Sequence, residues 1–144
     1  MKKILVIMLA ILLWSVPVFS ADQAGYYVQR EVVYSATGNA AAIDMKGSII
    51  NNYGQADDAV ISLPAIAKGY QFSVVLGTTV AKYYRIDPNA SDSIYLDGVT
   101  TGDGKYVGVA SASAGNALSC VAFQTGASAY DWYCSTVSGP WLAE

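Results

Sequence analysis

From Ala59 to Gly77 the chain reads AVISLPAIAKGYQFSVVLG, and apolar positions alternate with polar ones on both sides of a short break. Ile61 and Leu63 flank Ser62, while Phe72, Val74 and Leu76 alternate with Gln71, Ser73 and Val75, the period-two signature of half-buried strands. Pro64 and Gly69 frame the break as a single expected helical turn, because proline presets the entry and glycine accepts the left-handed exit. It is a connector, too short to be stable as a helix alone.

The same alternation recurs along the chain. Tyr26, Val28, Val32 and Tyr34 share one parity in a first expected strand, and Ile43, Met45 and Ile49 share one in a second. Tyr84 and Ile86 oppose Tyr83 and Arg85 in KYYRIDP, and SIYLDG, Lys105–Ala110, Leu118–Phe123 and Trp132–Val137 add further strands. Turn-forming SATGN and NNYGQADD punctuate the series, and TTGDG at Thr100–Gly104 predicts a tight hairpin turn. About nine short strands at near-regular spacing predict an all-β fold, a single antiparallel sandwich or barrel-like domain.

The first residues break this pattern. MKK, an apolar run from Ile4 to Trp14 and then SVPVFSA have the charged start, apolar middle and small-residue end of a bacterial secretory signal helix, with cleavage expected after Ser20. The alternative is a retained anchor, for which the run is short against the ~20 residues of a spanning helix. The expected organisation is a signal peptide over 1–20, an N-terminal strand region and docking segment over 21–46, and a β domain over 47–144. The expected location is periplasmic, cell-surface or extracellular. Loss of Lys2 and Lys3 with the signal leaves six basic against eleven acidic residues, a net charge of −5. Such a chain is a poor partner for nucleic acid, whose binding depends on neutralised phosphates. GDGKYVG does not match the phosphate-cradling G-x-x-x-x-G-K-[ST] loop, so no nucleotide site is expected either.

Cys120 and Cys134 fall in two expected strands separated by the loop-like QTGASAYD. If the strands pair so that opposed residue numbers sum to 254, Cys120 faces Cys134, Val121 faces Tyr133 and Ala122 faces Trp132. Directly opposed residues come close enough to bridge, and an exported chain meets an oxidising compartment, so a disulfide is favoured over two buried thiols.

The sequence contains no histidine, which removes the commonest general base and metal ligand. Paired carboxylates could support glycoside hydrolysis, but Asp57, Asp58, Asp87, Asp92, Asp97, Asp103 and Asp131 all lie in turn-like contexts, where Asp ordinarily hydrogen-bonds nearby backbone. No catalytic residue is expected. DPNASD and DGVTTGDG offer closely spaced oxygen donors for calcium, without matching the twelve-residue calcium loop. All eleven tyrosines follow the leader, and Tyr83, Tyr95, Tyr130, Trp132 and Trp141 are the candidate aromatics for a subunit interface or a sugar-stacking platform. Packing across the sheet is the alternative role for them.

GSIINNYGQADDAVISLPAIAKGYQFSVVLGTT, YRIDPNASDSIYLDG and the closing DWYCSTVSGPW together resemble β-sandwich modules of bacteriophage tail fibres and virion surfaces. The shared outline is a leucine-proline turn after one strand, a glycine and aromatic before the next, an I-x-P segment, a D-x-I and a terminal W-x-x-x-x-x-S-G-x-W. The resemblance implies a structural or host-surface-binding role and transfers no catalytic residue. Joined to an export signal, it leads us to expect a secreted structural or assembly protein, a filament, coat or fibre-like subunit that self-associates or meets other surface proteins. The alternative expectation is a carbohydrate-binding or adhesive module.

Overall fold

A computed structural model describes residues 29–90 and 92–144. The expected signal helix over 1–20 and the Tyr26–Val28 part of the first strand lie outside the described residues. The described chain is built of short strands: β1 (Glu31–Val33), β2 (Gly38–Asn39), β3 (Lys46–Asn51), β4 (Ala59–Ser62), β5 (Gln71–Val75) and β6 (Tyr84–Asp87). There follow β7 (Ser93–Leu96), β8 (Val99–Asp103), β9 (Val107–Val109), β10 (Ala117–Gln124), β11 (Tyr130–Ser138) and β12 (Leu142–Ala143). A seven-stranded sheet has the order β1-β3-β5-β10-β11-β7-β8, and a five-stranded sheet has the order β12-β9-β6-β4-β2.

The all-β expectation holds, but the sheets are mixed rather than antiparallel. β1, β3 and β5 run parallel in one sheet, β2, β4 and β6 run parallel in the other, and β7 is parallel to β11. The reason is the path of the chain. From β1 to β6 each strand leaves its sheet for the opposite one, so the next strand to return points the same way. Parallel neighbours need a crossover between them, and here the crossover is a strand of the facing sheet. Gly38, Ile61 and Ile86 are brought into one cross-strand row by this winding.

Four local features differ from the sequence pattern. Pro64–Gly69 is not a helical turn: it passes without regular secondary structure from β4 in one sheet to β5 in the other and turns at Lys68–Gly69, where Gly69 has φ 82°. Ile43 and Met45 do not sit in a strand. They occupy a short 3-10 turn, Ala42–Met45, that buries Met45 and leaves Ile43 exposed. The register slips between Lys46 and Ser48, so Ser48 and Ile50 point inward in β3 and Ile49 outward. The hairpin turn expected at Thr100–Gly104 lies instead at Asp97–Gly98, both at positive φ, and Thr100–Asp103 belongs to β8. The Asp97 carboxylate accepts the Thr136 N–H at 2.9 Å, which ties this turn to β11.

One core lies between the sheets. Ile50, Phe72, Val74, Leu118 and Trp132 from the larger sheet meet Ile61, Tyr84, Ile86, Val107 and Val109 from the smaller. Phe72 meets the Trp132 ring edge-on at 5.1 Å between centroids, one of the preferred aromatic geometries. β10 and β11 pair in the register read from the sequence, Cys120 opposite Cys134 and Val121 opposite Tyr133, and the two cysteines form a disulfide.

The N-terminal strand is held by a buried acid. Asp44 is 3 % exposed, receives the Tyr34 hydroxyl at 2.6 Å and pairs with Arg30 at 2.7 Å. Burial, and then the hydrogen bond to Asp44, push the Tyr34 phenol above its ordinary pKa. Arg30 and Tyr34 flank β1 and Asp44 precedes β3, so the cluster fastens the sheet edge.

Replacing Asp44 by alanine removes the partner of the Tyr34 hydroxyl and the Ala41 N–H and returns the half-exposed Arg30 to solvent, and the expected loss in urea unfolding is about 1–2 kcal/mol. Closing the loop between the cysteines contributes about 3 kcal/mol, so the Cys120→Ser/Cys134→Ser protein is expected to unfold at correspondingly lower urea. Unchanged midpoints in either case would contradict these assignments.

Candidate surface on the seven-stranded sheet

Side chains directly opposed across strands share a face, so register alone lays out the outer surface of the larger sheet. One row runs Gln71, Val121, Tyr133, Tyr95, and its neighbour runs Ile49, Ser73, Ser119, Ser135. Val121 is 41 % and Tyr133 39 % exposed, and Val75 on β5 is similarly open. Phe123, two residues beyond Val121, meets Tyr95 at 5.4 Å and Tyr133 at 6.2 Å, both edge-on. These contacts fix the rings and leave a strip that is uncharged from β5 to β7 and is bounded by Lys46 on β3 and Glu31 on β1.

Past Phe123 the strands end and the strip runs into a cleft of about 540 Å³. Tyr95 and Tyr130 line it, with Asp92, Asp131, Thr125 and Ser128. Asp92 accepts the Ile66 N–H at 3.2 Å and Asp131 accepts the Ser93 N–H at 3.1 Å, so both carboxylates are oriented by backbone. Burial raises the pKa of Asp92, and the negative charge of Asp131 raises it further against the opposing Ile66 hydrogen bond.

A second cleft, about 670 Å³, opens on the five-stranded sheet where β2, β4 and β6 end. Asn39, Ser62 and Asp87 lie side by side there as one cross-strand row. Burial alone lifts the Asp87 pKa above the ordinary carboxylate value.

The aromatic candidates therefore divide. Tyr95 and Tyr130 come together in the first cleft. Tyr83 lies on the other sheet, where the Arg85 guanidinium sits 3.9 Å from its ring centroid and 4.2 Å from that of Tyr106, and bridges to Glu144 at 3.6 Å. β9 can lie this close to Arg85 because position 108 is glycine: a Cβ there would come within 2.8 Å of the Arg85 side chain. Trp132 and Trp141 are not surface platforms. Trp132 shares parity with Cys134 and is wholly buried, while Trp141 is 5 % exposed and donates its indole N–H to the Ser138 carbonyl at 3.0 Å.

Tyr133 and Phe123, not singled out by the sequence pattern, complete the strip. Their signal was the parity opposite to Trp132 and to Ala122. Among the described residues no group of three or more His, Cys, Asp or Glu is placed to hold a metal ion, and the DPNASD segment is divided, with Asp87 and Asp92 lining different clefts. No protein-family model and no curated protein matches this chain.

Because its folded pKa is raised, Asp87 weakens the fold at pH values above that pKa, and the cost disappears as pH falls below the ordinary value near about 4. Asp87→Asn is thus expected to be more stable than the parent at pH 7 and equal to it at pH 3. A gain that persists at pH 3, in urea unfolding at both values, would contradict the assignment.

Proposed function

We propose that this chain is an exported, non-enzymatic β protein with a structural or assembly role at the cell surface or outside the cell, and that copies associate through the outer face of the seven-stranded sheet. The supporting observation is the uncharged strip of Val121, Tyr133 and the neighbouring serine row in a chain of net charge −5 after signal removal. Copies so charged repel one another except where a neutral surface lets them approach. Exposed valine and tyrosine there supply apolar area, and tyrosine contributes large contact area at low entropic cost. The disulfide accords with an oxidising compartment, and the resemblance of residues 47–141 to virion-surface modules accords with a contact role. The carboxylates Asp92, Asp97 and Asp131 each accept a backbone N–H, the behaviour of turn-fixing residues.

Light scattering coupled to size exclusion, across a wide concentration range, tests the reading. The oxidised protein is expected to grow in mass with concentration, and Val121→Lys/Tyr133→Lys to stay monomeric with an unchanged unfolding midpoint. A parent protein monomeric throughout, or a variant that assembles like the parent, would contradict it.

A further inference from the structure

We propose that the cleft between Tyr95 and Tyr130 binds a neutral pyranose glycan, a ligand site that adjoins the assembly strip and shares only Tyr95 with it. The chemistry of its lining carries the inference. Each acidic residue has one carboxylate oxygen held by a backbone N–H, Asp92 Oδ2 by Ile66 and Asp131 Oδ1 by Ser93. The other oxygen of each, Asp92 Oδ1 and Asp131 Oδ2, has no hydrogen bond among the described residues. Two oriented acceptors with unused capacity suit the paired hydroxyls of a sugar, since O–H···O⁻ bonds are short and strong. Thr125 and Ser128 add hydroxyls that both donate and accept.

Tyr95 and Tyr130 supply the apolar component. A pyranose presents C–H groups on its ring faces and hydroxyls at its rim, and a tyrosine presents an apolar ring with a polar tip. Tyr95 is restrained by its contact with Phe123, so its ring is ordered before any ligand arrives. A volume of about 540 Å³ holds two or three sugar units.

Charge narrows the class. Two carboxylates in the cleft of an acidic chain repel uronates, sialosides and sulfated sugars. A divalent cation would be attracted, but calcium takes six to eight oxygens, two carboxylates are few for it, and the tyrosine rings would contribute nothing to it.

Isothermal titration of the full mature chain tests the site with cellohexaose, chitohexaose and mannohexaose as neutral probes, hexagalacturonate as an anionic one and calcium chloride as a cation. Saturable binding of at least one neutral hexamer is expected, with none to hexagalacturonate. Tyr95→Ala and Tyr130→Ala are each expected to weaken that binding about tenfold, whereas Tyr95→Phe and Tyr130→Phe, which keep the ring and the fold, retain it. Asp131→Asn is expected to weaken it as well, and Tyr83→Ala on the opposite sheet to leave it unchanged. Silence toward all three neutral hexamers, equal binding of the anionic hexamer, a heat signal confined to calcium, or full affinity in both Tyr→Ala variants would overturn the proposal. Self-association is read separately by mass, so either idea can fail without the other.

Discussion

The bond between Cys120 and Cys134 sits at directly opposed positions of two eight- and nine-residue strands, and the arrangement of the larger sheet follows from it. Once these residues face one another, parity assigns the side chains of β10 from Leu118 onward and of β11 up to Thr136 to a face, the pairing slipping only beyond, between Ala117 and Leu118. Leu118, Cys120, Trp132 and Cys134 fill the core, and Ser119, Val121, Phe123 and Tyr133 turn outward. A slip of one residue would exchange the two sets, exposing Trp132 and burying Asp131. β10 then receives β5 on its free side, and β11 receives β7. The covalent link therefore protects a register, and through it the identity of the outer surface.

The second constraint is the winding of β1 to β6 between the sheets. It lets short strands bury apolar residues on both sides of one core without hairpins, and it gathers polar residues distant in sequence at the strand ends. Asn39, Ser62 and Asp87 become neighbours in this way. The Asp92 and Asp131 cleft arises similarly, from the parallel placement of β7 beside β11. The loops at these ends carry the polar chemistry, while the strands between them supply a rigid support.

Much of this was legible in the chain. Alternation located most strands, and the spacing of the cysteines yielded the β10–β11 register because that pairing is local. The parallel neighbours were not legible, since turn residues such as Asp97–Gly98 advertise hairpins while crossing segments such as Pro64–Gly69 carry no comparable mark. Ile43 and Met45 imitated a strand because a 3-10 turn can also present one residue inward and another outward. Trp132 was readable in principle: two residues from Cys134 on one strand, it had to share the face of the bridge. The cleft was the least visible feature, because Asp92 and Tyr130 meet only through tertiary placement.

In the assembly proposed above, the outer face of the larger sheet, and not its edges, makes the contacts between copies. Methyl NMR spectra of the oxidised protein across a dilution series measure this directly, because exposed valines report from both kinds of position. Val75 and Val121 lie on the face, whereas Val33 and Val99 lie on the two edge strands, β1 and β8. The account predicts that the Val75 and Val121 methyl signals shift together as concentration rises while those of Val33 and Val99 stay fixed. Movement at Val33 or Val99 with Val121 unchanged would place the contact at an edge and contradict it.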